Sequence, residues 1–139
     1  LVEDNEGDIQ IMMQAFKEAR FENNICLARD GQEALDFILG KDQYVDREKF
    51  PLPDLIISDI NMPRVDGLEF LKRLKGLPEH QSIPIIMFTS SIAQEDITKS
   101  YSYGAANYIP KPMNYDDYLA VVEGMNFYWT FLSRLPGRT

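Results

Sequence analysis

The chain has 139 residues, enough for one compact domain and too few for two, and 45% of them are hydrophobic, as in an ordinary packed core. A net charge of −8 with no Lys/Arg cluster argues against a nucleic-acid-binding face, and no apolar run of about 18 residues or leader-like stretch offers a membrane segment. Cys26 is the one cysteine and cannot form an intrachain disulfide, which fits a reducing, cytoplasmic setting.

Leu1-Val2 stands directly before an acidic pair, Glu3-Asp4, so the first predicted strand has almost no length and its start is expected to be missing. Asn5 with Asp8 three residues on reads as a cap, and Ile9, Met12, Met13 and Phe16 follow at helical spacing, giving helix one to about Arg20, with both methionines in the core. Asn24 to Arg29 is a short strand that carries Cys26 as an inert core thiol. Asp30 and Glu33 repeat the capping pattern before Ala34, Leu35, Ile38 and Leu39, and helix two ends near Gly40. Lys41 to Pro53 is longer than such connections usually are and reads as an insertion containing Tyr44, Val45 and Phe50.

The stretch DLIISDINMPRVDG, residues 54 to 67, is the centre of the chain. Leu55, Ile56 and Ile57 are apolar on successive positions, the habit of a strand covered on both faces, and Asp59 falls at its carboxyl end. Asn61, Met62 and Pro63 stop the strand, and Asp66 with Glu69 caps helix three, roughly Gly67 to Lys75. A continuous apolar strand, Ile83 to Phe88, ends at Thr89; helix four, about Gln94 to Tyr103, closes on Gly104. Ala106 to Ile109 is the last strand, and Asn114 with Asp117 starts a long, aromatic final helix. His80 lies in the polar PEHQS loop without a partner for metal or triad work and is expected to be solvated.

Five strands alternating with five helices predict an α/β fold with a doubly wound parallel sheet and helices on both faces. In the flavodoxin-like order 2-1-3-4-5 the switch point lies between strands one and three, and Asp4, Asp59, Thr89 and Lys111 converge at the carboxyl edge where ligands bind. Glu3, Asp4 and Asp59 there require a counter-ion. Oxygen ligands with no His or Cys nearby favour Mg2+, with Asp4 and Asp59 as direct ligands.

SDINMPRVDG resembles the phosphoacceptor strand and loop of response-regulator receiver domains. Glu3-Asp4 in VEDN, Thr89 in IIMFTSS and Lys111-Pro112 in YIPKP fall where that family has its other motifs, Thr89 30 positions after Asp59 and Lys111 22 after Thr89. The resemblance covers essentially the whole of residues 1 to 139 as a single receiver domain. It implies an acyl phosphate formed on Asp59, the Asn61 backbone carbonyl as a third metal ligand, and Glu3 acting through water. The phosphoryl donor would be a phosphohistidine of a partner sensor histidine kinase. Lys111 would place a point charge on one phosphoryl oxygen and the Thr89 hydroxyl a hydrogen bond on another. The Lys111-Pro112 bond is a candidate cis peptide. Thr89 and Tyr108 would form the switch, with helix four, strand five and helix five as the output face. Glu3 is one methylene longer than the aspartate many receivers carry. Asn61 and Ser91 stand two positions after Asp59 and Thr89, where they would flank the water that removes the phosphoryl group.

On the final helix, Tyr115, Tyr118, Leu119, Val122, Met125, Trp129 and Leu132 share one face, and Phe127, Tyr128, Phe131 and Leu135 form a second. The second stripe predicts a homodimer interface through Phe127, Tyr128 and Phe131. The insertion and this tail are similar to those of stand-alone receivers that partner phytochrome kinases. Two other functions share the topology. An aspartyl-phosphate phosphatase would want a second carboxyl two positions after its nucleophile, where this chain has Asn61. A flavin module would meet repulsion between the acidic pocket and the flavin phosphate.

Overall fold

The computed structural model describes residues 1–21 and 24–127. The elements run α1 (Glu6–Glu18), α2 (Gly31–Leu39), a 3-10 turn (Asp42–Tyr44), β1 (Ile56–Ser58), α3 (Gly67–Lys75), β2 (Ile85–Thr89), α4 (Gln94–Ser102), β3 (Asn107–Pro110) and α5 (Tyr115–Phe127). They divide between two compact units. Of the described residues, one unit holds 1–4 and 26–110, and the other holds 5–21, 24, 25 and 111–127.

The first unit is built on a parallel sheet in the order β1-β2-β3, with Ile56 opposite Ile85, and Met87 and Thr89 opposite Tyr108 and Pro110. Single-residue bridges extend it on the β1 side. Val2 pairs in parallel with Ser58 and with Ala28, so across the sheet the segments follow the expected order 2-1-3-4-5, the two outer ones reduced to one bridged residue each. The Val2 N–H donates to Ile57 O at 2.8 Å and the Glu3 N–H to Ala28 O at 2.9 Å, which fixes the register. Every residue of β1 and β2 is buried, the reason their apolar residues run without alternation. Phe70, Leu71 and Leu74 of α3 are fully buried in the same core as Leu35 and Ile38 of α2. Each such side chain contributes about 1.5–3 kcal/mol by leaving water.

The caps read from sequence are made. The side chains of Asp30 and Asp66 accept from the N–H of Glu33 and Glu69 at 2.8 and 2.9 Å, and Gly40 ends α2 in the left-handed region. The 41–53 connection is a local aromatic plug. Tyr44 and Phe50 pack on Phe37 with ring centroids 5.0 and 6.0 Å away, and the Arg47 guanidinium donates to the carbonyls of Phe37 and Ile38. Arg47 thereby supplies the positive charge that the last turn of α2 lacks.

In the second unit α1 lies against α5. Asn5 caps α1 through Asp8 N–H at 2.9 Å, and Asn114 caps the start of α5 through Asp117 N–H at 2.9 Å. Ile9, Met12 and Phe16 are buried on α1, and Tyr118, Val122 and Met125 on α5; Met13 is only half-buried.

Three expectations are corrected. The strand expected over Asn24 to Arg29 is bridged at Ala28, and the Cys26 carbonyl accepts from the Leu1 amine at 2.9 Å, but the Cys26 side chain is exposed and is not a core thiol. His80 is half-buried, because Lys75 Nζ donates to the carbonyls of Gln81 and Ile83 at 2.9 and 2.8 Å and draws the loop in. Helix one stops at Glu18, and Arg20, with φ of 55°, has left helical geometry.

Candidate functional site

At the carboxyl edge of the first unit Glu3, Asp4 and Asp59 each offer an oxygen within 4.8 Å of the others. Glu3 is 2% exposed and Asp59 7%, while Asp4 faces solvent. The grouping follows from the backbone: the Asp59 N–H donates to Val2 O at 3.0 Å, which sets the strand-end acid beside the two that follow Val2. Asp59 Oδ1 accepts the Ile60 N–H at 2.7 Å, which fixes the rotation of the carboxylate. An octahedral ion with bonds of about 2.0–2.1 Å holds its ligand oxygens roughly 3–4 Å apart. Three hard oxygens within 4.8 Å are close to that span, and the donor set suits a hard divalent cation.

The loop after Asp59 is tied at both ends. The Gly67 N–H donates to Ile60 O at 2.7 Å, and a Cβ on Gly67 would stand 1.9 Å from Asp59 O, so only glycine lets α3 start this close to the strand end. The Gly31 N–H donates to Val65 O at 2.9 Å. Between them the Arg64 guanidinium grips the Asp30 carboxylate with two bonds, Nε to Oδ2 at 2.8 Å and the terminal nitrogen to Oδ1 at 3.0 Å. Burial pushes the Asp30 carboxyl up, but the Arg64 bonds and the N–H groups of Glu33 and Gln32 together hold it below its ordinary value. Asn61 is exposed on this loop.

Thr89, the last residue of β2, is fully buried, and its Oγ accepts the Ser91 N–H at 3.3 Å. Tyr108 is buried on β3 and its hydroxyl donates to Ser91 O at 2.8 Å. Burial, with the charges of Asp96 and Asp59, raises the Tyr108 phenol above its usual range against the opposing Ser91 contact. The Ser91 hydroxyl donates to Asp96 in the first turn of α4 at 2.6 Å. One residue thus joins the two expected switch side chains to a helix.

In the second unit Lys111 Nζ pairs with Asp8 Oδ2 at 2.7 Å, the lysine side chain being 6% exposed. No described peptide bond is cis, so the Lys111-Pro112 bond is trans, the form X-Pro bonds favour by about 0.5–1 kcal/mol, and it is the Asp8 pair that holds the ammonium. Phe127 is 56% exposed at the end of the described chain; Tyr128, Trp129, Phe131, Leu132 and Leu135 lie outside the described residues. Sequence reasoning missed the ion pairs of Arg64 with Asp30 and Lys111 with Asp8. Their partners stand 34 and 103 positions apart, and no local pattern signals them.

Residues 1–123 match the response regulator receiver domain. The chain is 32% identical over 137 residues to the probable methanogenesis regulatory protein FilR2 of Methanothrix harundinacea, covering 99% of this chain and 86% of that protein. Among solved structures it is similar to the phosphorylated cyanobacterial phytochrome response regulator RcpA, at 32% identity and a TM-score of 0.89, over 98% of this chain and 95% of that one. It is also similar to the Mn2+-bound form of response regulator Rcp1 of Synechocystis, at 30% identity and a TM-score of 0.83, over 98% and 96% of the two chains. With the strand order, the grouped acids at the strand ends and a family match over 123 of 139 residues, the chain belongs to the response regulator receiver domain family.

Proposed function

We propose that the chain accepts a phosphoryl group on Asp59 from the phosphohistidine of a sensor histidine kinase, in the presence of Mg2+, and passes the signal to the output elements that the receiver resemblance implies. The observation that carries this reading is the set of three grouped carboxylates with Asp59 at a strand end, its Oδ1 held by the Ile60 N–H. Asp4, Asp59 and the Asn61 carbonyl would hold the ion, with Glu3 acting through water; when bound it neutralises the carboxylates and the phosphoryl oxygens. A carboxylate oxygen of Asp59 forms the new bond to phosphorus as the bond to the histidine nitrogen breaks, and the imidazole leaves. Thr89 accepts the Ser91 N–H, a contact that does not use its one hydroxyl proton, which would donate to a phosphoryl oxygen. Lys111 is assigned to a second phosphoryl oxygen on the YIPKP motif.

Tyr108, bonded to Ser91 beside Thr89, is the aromatic member of the switch. A coupling of this kind is worth about 1–3 kcal/mol, enough to change partner choice without refolding. The chain catalyses only its own phosphorylation and dephosphorylation. The likeness to RcpA and Rcp1 supports a phytochrome as the kinase, and the Mn2+ form of Rcp1 supports a divalent ion. Exposed Phe127 supports self-association through the stripe it begins, which sedimentation of Phe127→Glu tests: a parent that does not dimerise removes that part.

The principal test is incubation with Mg2+ and a small acyl-phosphate donor. The parent gains one acid-stable, base-labile phosphoryl group and Asp59→Asn gains none. Equal labelling of both, or steady turnover of phosphate esters, overturns the reading.

A further inference from the structure

We propose that Arg64 and Asp30 are positioning residues for the divalent ion, holding the loop that presents the Asn61 carbonyl to it; this rests on the receiver reading given above. The loop's own hydrogen bonds occupy the carbonyls of Ile60 and Val65, and among the described residues the Asn61 carbonyl accepts none of them. Those two bonds fix where the loop leaves Asp59 and where it enters α3. Between the two tied carbonyls lie residues 61 to 64, Asn61 first among them, and among the described residues none of these four makes a backbone bond of that kind.

Arg64 supplies the missing tie. Its φ of 62° lies in the left-handed region, which a residue with a Cβ occupies only at a cost. Its guanidinium reaches Asp30, where two bonds of 2.8 and 3.0 Å set both distance and angle, as a single ammonium would not. The anchor at the other end is rigid. Asp30 is the N-cap of α2, its carboxylate also accepts the Glu33 N–H at 2.8 Å, and Glu33 is itself held by the Tyr44 hydroxyl at 2.9 Å.

A carbonyl ligand to a hard ion must lie at a nearly fixed distance, so a loop free to rotate at Arg64 weakens the site even when all three carboxylates remain. The Arg64 side chain is 59% exposed, which keeps the pair's contribution to folding stability small although the Asp30 side chain is only 12% exposed. Metal affinity and stability therefore separate.

The test is Mn2+ binding by the full chain, read from the loss of the free-ion electron paramagnetic signal, with thermal midpoints of the metal-free proteins measured alongside. Asp30→Asn keeps a capping side chain and removes the charge; Arg64→Asn tolerates the left-handed backbone and removes the guanidinium. Each single variant, and the double variant, is expected to bind Mn2+ about tenfold more weakly, without additivity, and with a thermal midpoint near that of the parent. Parent-like affinity in both single variants, with binding lost in Asp59→Asn, overturns this proposal and leaves the receiver reading intact. A fall in affinity that only tracks a fall in thermal midpoint also overturns it, and a parent that binds no Mn2+ overturns both.

Discussion

Replacing Asp59 by Asn removes one charge from the acidic group and little else, because the amide oxygen can still accept the Ile60 N–H now held by Oδ1 at 2.7 Å. Carboxylate oxygens 4.8 Å apart repel by about 3.5 kcal/mol at an effective dielectric of about 20, and by about 1 kcal/mol in water. Glu3 and Asp59 are both buried and lie toward the stronger limit, whereas Asp4 is exposed and lies toward the weaker. After side-chain relaxation a net gain of about 2 kcal/mol is expected for metal-free Asp59→Asn at low salt. With an unfolding entropy of about 2.1 cal/mol/K per residue over 139 residues, that is a rise of roughly 7 °C in thermal midpoint. The assay is calorimetry of parent and variant with a chelator and then with Mg2+. The parent should gain stability from Mg2+ and the variant should gain much less, since ion binding repays repulsion only where the charge exists. A metal-free variant no more stable than the parent, or equal Mg2+ shifts in both, would refute the crowding argument.

Gly67→Ala should destabilise by more than about 3 kcal/mol or prevent folding, since its Cβ would meet the Asp59 carbonyl oxygen at 1.9 Å and backbone cannot step aside cheaply; a parent-like urea midpoint contradicts this. The Asp30 carboxyl sits below its ordinary value of 3.8, so its contribution is full above that pH and is lost as pH falls through the lower folded value. Asp30→Asn should therefore show a shallower acid limb in stability against pH than the parent, and parallel limbs would deny the shift. The exposed Cys26 thiol should react with a disulfide reagent in the native protein nearly as fast as in denaturant; protection by more than about tenfold would return it to the core.

Much of this fold is written locally. Four Asx caps at Asn5, Asp30, Asp66 and Asn114 mark helix starts because a capping oxygen and the N–H that donates to it lie three residues apart, within reach of a sequence reading. β1 and β2 are legible because burial on both faces demands unbroken apolar runs. The second predicted strand was less so: Ile25 and Leu27 suggest alternation, yet both are only half-buried, the one bridged residue is Ala28, and the Cys26 side chain is left in solvent. Glu3, Asp4 and Asp59 were found because their residue types and strand-end positions both point to a cation. Arg64, Asp8 and the bond from Ser91 to Asp96 were not, because side-chain partners are chosen by tertiary placement that periodicity does not carry.

The most direct measurement is the site of the phosphoryl group. Protein treated with Mg2+ and an acyl-phosphate donor, then with borohydride, should yield homoserine at position 59 and nowhere else on peptide sequencing, since the hydride reduces only an activated acyl group. Homoserine at Asp4, or an unmodified Asp59 in protein that has taken up phosphate, would contradict the assignment of Asp59 as the acceptor.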